Sequence, residues 1–145
     1  MRYFPINFDV AGREVAILSA QARQHPLEQL RPCATVAEAL ALKSAVQEIR
    51  LSEELKRYAV DLVGATRTAA GVQLGASPRG SLALTKAAQA LALFDGQEFV
   101  TPEHIQELAV AVIAHRLVME PQARFSGTTA ESVVEGILKA TPAPA

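Results

Sequence analysis

Tryptophan is absent from this sequence and aromatic residues make up only 5% of it, although half of the 145 residues are apolar. The apolar half is carried largely by alanine, a strong helix former whose small side chain lets helices approach closely. Composition therefore points to an α domain, and the length to one compact domain with its own core. Cys33 is the single cysteine, which excludes an internal disulfide and suits a reducing compartment. In its proline-flanked loop it reads as a bystander rather than a nucleophile. No charge of one sign dominates: 14 basic and 15 acidic residues leave a formal charge of −1, so the net balance argues for neither a nucleic-acid surface nor an anionic membrane. No apolar run approaches the roughly 18 residues of a membrane span, since "LAVAVIA" is bounded by Glu107 and His115. The opening "MRYFPINFDV" lacks a signal-peptide pattern. These absences predict a cytoplasmic chain with no membrane insertion.

Several catalytic constellations are missing too. His25, His104 and His115 are not spaced to put two ligands on one helix face, so no metal site is expected. There is no G-x-S-x-G elbow. The pattern G-x-x-x-x-G-K-[ST] is also absent, and without it the chain cannot cradle a nucleoside triphosphate in the usual way.

What is present is a succession of helix signals. "MRYFPINF" alternates bulky residues around a proline and reads as an extended segment. From about Val10, Val15, Ile17, Leu18 and Ala22 mark a helix that should stop before Pro26, and "HPLEQLRPCA" is a loop. Thr35 and Glu38 have capping-box spacing ahead of a helix to about Glu48. Ser52 caps the next, whose Leu55, Tyr58, Ala59, Leu62 and Val63 repeat at helical spacing to about Arg67 or Thr68. "TAAGVQLGA" reads as a loop, after which a helix runs from Pro78 to about Phe94, with Gly96 as a left-handed stop. Another spans Pro102 to near Arg116. The last follows "SGTT", with Thr128 and Glu131 at capping-box spacing. The sum is an all-α bundle of five or six helices with a short extended N-terminal segment and no pattern for a complete sheet.

One stretch conflicts with its own local physics. In "GASPRG", Ser77 suits an N-cap whose side chain accepts from the first turn, and Pro78 suits the first helical position. Arg79 then places a cation at the positive end of the helix dipole, which costs roughly 0.3–1 kcal/mol when exposed. In the parallel "TPEH" the corresponding residue is Glu103. From the residues alone two readings stand: a surface arginine that tolerates the penalty, or a forked donor awaiting an anion such as a phosphate. Arg67 and Arg116 read as structural, bonding carbonyls at helix ends. Lys86, two turns beyond Arg79, reads as solvated.

The stretch "GASPRGSLALTKAAQALALFDGQEFVTPEHIQELAVAVIAHRL" resembles the lid subdomain of MoxR-type AAA+ ATPases, where "G-A-S-P-R" precedes an alanine-rich helix, a "D-G-x-x-x-V-T-P-x-x-I" turn and an "H-R-L" end. "YAVDLVGATR" is similar to the segment before it, and the match is most specific from Tyr58 to Leu117. Magnesium-chelatase ATPase subunits share a looser version. The resemblance implies that Arg79 is the second sensor, reaching the γ-phosphate of ATP held with Mg2+ on an upstream core, with Ser77 beside it. It also implies that residues 1–24 are the end of that core and a linking helix, with Glu14, Ile17 and Leu18 matching the family and Phe8–Asp9 replacing its usual Tyr-Pro. Residues 25–145 are then the helical lid. The P-loop, Walker B carboxylates, first sensor and arginine finger are expected upstream of Met1. The same resemblance implies a homo-oligomeric ring, a hexamer, working in chaperone-like remodelling or maturation of partner proteins, some bearing a von Willebrand A domain. The alternative is a stand-alone helical adaptor that keeps the lid fold without ATPase activity. A nucleic-acid binder fits poorly, because no helix carries a basic, base-reading face.

Overall fold

A computed structural model describes Val15 and residues 30–144. The expected extended segment, His25 and the first helix lie outside the described residues, apart from Val15, which is helical and exposed. The chain divides into two compact units, Met1–Ala41 and Leu42–Ala145. Among the described residues six α-helices run in the order α1 (Val36–Glu48), α2 (Glu53–Ala65), α3 (Pro78–Phe94), α4 (Pro102–Ile113), α5 (Pro121–Phe125) and α6 (Ala130–Ala140). A 3-10 turn, Ala114–Arg116, extends α4. None of these helices is long and apolar enough to cross a membrane.

The core of the second unit is mainly aliphatic, with Tyr58 the one buried aromatic side chain among the described residues. Leu62 and Val63 of α2, Leu84 of α3, Ile105 and Ile113 of α4 and Val134 of α6 are its largest fully buried side chains. All five stripe positions expected on α2 are buried. On α3 the buried ridge is Gly80, Leu84, Ala88 and Ala92, a strict i, i+4 row in which three of four residues are small. Those small residues let α3 lie close to both of its neighbours, α2 and α4, and α4 in turn packs on α6. Ala83, Ala87 and Leu91, at the edges of the ridge, are only half-buried.

Local chemistry sets most boundaries. Thr35 and Glu38 form the expected capping box, with the Thr35 N–H donating to Glu38 Oε2 at 2.7 Å and the Glu38 N–H to Thr35 Oγ1 at 3.2 Å. Ser52 Oγ accepts from the Leu55 N–H at 3.3 Å and starts α2. Gly96, with φ of 70°, ends α3: its N–H bonds the Leu93 carbonyl while the Gln97 N–H bonds that of Ala92, the paired closure of a left-handed helix stop. At α4 the first turn is closed by His104, whose Nδ1 accepts the Thr101 N–H at 3.0 Å. That bond requires Nδ1 to be unprotonated, so Nε2 carries the proton toward Asp95 Oδ2, 3.3 Å away.

Besides the short α5, which the sequence reading does not include, two elements differ from it. "TAAGVQLGA" is not only loop: Val72–Leu74 (β1) pairs antiparallel with Val118–Met119 (β2), Val72 opposite Met119 and Leu74 opposite Val118, with an irregularity between. Strands of three and two residues are too short to show an alternating pattern, and their pairing is a long-range event. The cap of α6 is also displaced by one residue. Thr129, not Thr128, is the N-cap, exchanging bonds of 3.1 Å with Ser132 rather than Glu131. The cause is upstream: Gly127 (φ 85°) closes α5, and the Thr128 N–H is taken by the Ala123 carbonyl at 2.9 Å. Thr129→Ala is accordingly expected to lower stability by about 0.5–2 kcal/mol, and Thr128→Ala by much less, as measured by chemical denaturation.

Three first-turn glutamates titrate below the ordinary glutamate range. Glu38 is lowered first by the Thr35 backbone N–H and then by its hydroxyl, Glu54 by its own backbone N–H and then the Ser52 hydroxyl, and Glu103 by the Thr101 hydroxyl and then its own backbone N–H. A folded carboxyl that titrates below its unfolded counterpart adds stability above the unfolded range, and that stability is lost as pH falls through the folded midpoint. Carboxyl NMR titration is expected to place all three midpoints below those of an unfolded peptide.

Candidate functional site

The loop before α3 is held against the end of α2 from several directions. Ala76 is buried, and its N–H donates to Thr66 Oγ1 at 2.9 Å. The same hydroxyl, fully buried, donates to the Val63 carbonyl at 2.6 Å. The Ala76 carbonyl accepts from Arg67 Nε at 3.1 Å. Gly75 lies so close to the α2 end that a Cβ there would meet the Arg67 Cα and N at 2.7 Å. The first glycine of "GASPRG" is therefore required by close backbone approach.

Ser77 follows as the N-cap, with extended φ and ψ of −76° and 168°, and Pro78 takes the first helical position as expected. The expected side-chain cap is not made. Its natural donor, the Gly80 N–H, is taken by the Ser77 backbone carbonyl at 2.8 Å, so the hydroxyl has no third-residue amide to accept from. Proline offers no N–H either, which leaves Arg79 as the first-turn residue with a free amide. Arg79 is exposed, and its side chain takes part in no hydrogen bond or ion pair with the described residues. No acidic residue lies in the first turn of α3. The arrangement can present one planar guanidinium, backed by a positive helix end, to an anion supplied from outside this unit.

Arg116 bonds the Val112 carbonyl at 2.8 Å near the end of α4, as a helix-end arginine should. Arg67 departs from that expectation, because its partner is the Ala76 carbonyl of the loop rather than a carbonyl of its own helix. Sequence reading did not find the Thr66–Ala76 and Arg67–Ala76 contacts. The available signal was Gly75 placed shortly after a Thr-Arg pair, but nothing in the one-dimensional pattern says which backbone that glycine must approach. Lys86 is exposed, as expected. Among the described residues no cluster of His, Cys, Asp and Glu could hold a metal ion. An open cleft of about 680 Å³ is lined by Arg50, Leu51, Ser52, Leu55, Phe99 and Val100. Neither Ser77 nor Arg79 lines it, and the one charged side chain among its described lining residues, Arg50, is in an exposed ion pair with Glu98 at 3.7 Å.

Comparison with known proteins gives this geometry a family. Residues 64–137, just over half of the chain and including the whole Thr66–Arg79 segment, match the AAA lid domain. YeaC, an uncharacterized protein of Bacillus subtilis, is 42% identical over 133 residues, 92% of this chain and 42% of its own length. The chaperone MoxR1 of Mycobacterium tuberculosis is 30% identical over 125 residues, 80% of this chain and 33% of its own. A crystal structure from Cytophaga hutchinsonii, of a protein provisionally named an ATPase, superposes with a TM-score of 0.78 at 25% identity, covering 91% of this chain and 43% of that one. The chain belongs to the AAA lid domain family and is a lid of the MoxR type. It spans less than half the length of these relatives.

Proposed function

We propose that this lid serves a MoxR-like AAA+ ATPase as the carrier of a second sensor, Arg79, which reaches the γ-phosphate of ATP bound with Mg2+ on a P-loop core. The single observation that carries the reading is the state of Arg79: an exposed arginine whose side chain has no partner among the described residues, in a first turn with no acidic residue, on a helix whose start is clamped to its neighbour. A cation there is a local penalty in isolation and a stabilising contact once a phosphate arrives. ATP and Mg2+ supply the phosphoryl group and its metal clamp. This chain contributes orientation and one charge-assisted donor, with the Ser77 hydroxyl, left uncapped, available beside it.

The same reading takes residues 1–24 as the end of the core with its linking helix and residues 25–145 as the lid, in a cytoplasmic, ring-forming ATPase, a hexamer. Its work is chaperone-like remodelling or maturation of partner proteins, among them proteins with a von Willebrand A domain. MoxR1, named a chaperone, and the Cytophaga protein support it. The test is ATP turnover by the protein in which this lid is joined to a P-loop core, compared with Arg79→Ala. Turnover that is absent from the longest natural reading frame would instead favour a lid-shaped adaptor.

A further inference from the structure

Arg79 is bracketed by two pinned residues. On one side, Ala76 is held by both of its backbone polar groups, its N–H by Thr66 Oγ1 at 2.9 Å and its carbonyl by Arg67 Nε at 3.1 Å. On the other, Gly80 is buried, with space only for a Cβ at 3.5 Å from Ala76 and Val63. Between these points the chain has little freedom: Pro78 has its φ fixed by the ring, and Ser77 is held as a helix N-cap. We infer that the Thr66–Arg67 end of α2 is a positioning clamp for Arg79, fixing where the α3 start stands so that only the guanidinium itself remains to be aimed. The inference rests on the sensor role proposed above.

The polar character of the clamp is the reason to assign it more than packing. Apolar burial of Ala76 and Gly80 would hold α3 near α2 but tolerate small rotations, because hydrophobic contact is non-directional. Thr66 Oγ1 is fully buried and both donates and accepts, to Val63 and from Ala76. Such a relay fixes distance and angle together, and breaking it leaves a buried N–H without a partner. Gly75 completes the fit by allowing backbone contact with Arg67 that no side chain would permit. Arg67 is a positioning residue here, because its Nε acts on the loop carbonyl and not on a phosphate.

Two measurements test the clamp. In this chain, Thr66→Val is expected to speed amide exchange at Ala76 by about ten- to a hundredfold, and Thr66→Ser to restore most of the protection. Unchanged exchange in Thr66→Val would overturn the clamp. In the protein that carries the P-loop core, exposed Arg67 can be removed without opening the core of the lid. Arg67→Ala is expected to lower kcat roughly tenfold when Arg79 is present, and to cause no further loss when Arg79 is already alanine. Equal losses in both backgrounds would mean that Arg67 does not act through Arg79. No loss in either, with Arg79→Ala itself still slow, would refute the clamp and leave the sensor standing. Normal turnover in Arg79→Ala alone would overturn the sensor, and the clamp's function with it.

Discussion

Replacing Arg79 with alanine in the protein that joins this lid to a P-loop core is expected to slow ATP hydrolysis by about two to three orders of magnitude, the usual loss when a charge-assisted donor to a transition state is removed from a water-poor site. The same substitution in this chain should leave stability unchanged or slightly raised, because it removes from the positive end of α3 an exposed cation that has no partner among the described residues. That opposition separates a sensor from a structural arginine. Arg79→Lys should recover only part of the rate, since lysine keeps the charge but not the planar fork. Lys86→Ala, which removes another exposed cation two turns along the same helix, should do far less. Steady-state turnover with thermal denaturation of each variant checks all four statements. An unfolded Arg79→Ala chain beside normal turnover in the core-bearing protein would sink the assignment.

Leu84→Ala is expected to have the largest effect on folding. Leu84 is fully buried in the centre of α3, on the ridge whose other members are glycine and alanine. It is therefore the one large side chain on that ridge, and Gly80 and Ala88, its neighbours along the ridge, are too small to fill the space it would leave. The loss should be about 2–5 kcal/mol. That is a large part of the stability of an ordinary small domain. Leu82, on the same helix but 56% exposed, provides the contrast, and Leu82→Ala should stay within about 0.5 kcal/mol. Chemical denaturation of the two variants side by side gives the comparison, and equal losses would contradict the placement of the core.

The stripe of α2 was legible because it is a short-range pattern: Leu55, Tyr58, Ala59, Leu62 and Val63 recur at the helical period and are all buried. The caps at Ser52 and Thr35 were legible for the same reason, since a capping side chain bonds an amide two or three residues away. The cap of α6 was missed by one position because adjacent Thr128 and Thr129 both satisfy the pattern, and the choice was made by Gly127 and the closure of α5 on Ala123. Ser77 was recognised as an N-cap residue, yet its hydroxyl is not used, because a tight first turn gave the Gly80 amide to the Ser77 carbonyl.

By itself, then, the sequence determined a mainly helical domain without tryptophan or an internal disulfide, the positions of its principal helices, and one arginine set against its own helix dipole. The helix positions and the arginine's conflict with its dipole follow from interactions spanning about a turn of helix, and the lid from a resemblance spread over a longer stretch. Only the tertiary structure decided that Val72–Leu74 pairs with Val118–Met119, that His104 closes the first turn of α4 while facing Asp95, and that Thr66 and Arg67 hold Ala76. The last two residues lie ten and nine positions from their partner, across a loop. Such contacts depend on where α2 and α3 come to rest against each other, which is set by burial summed over the whole core rather than by any local run of residues.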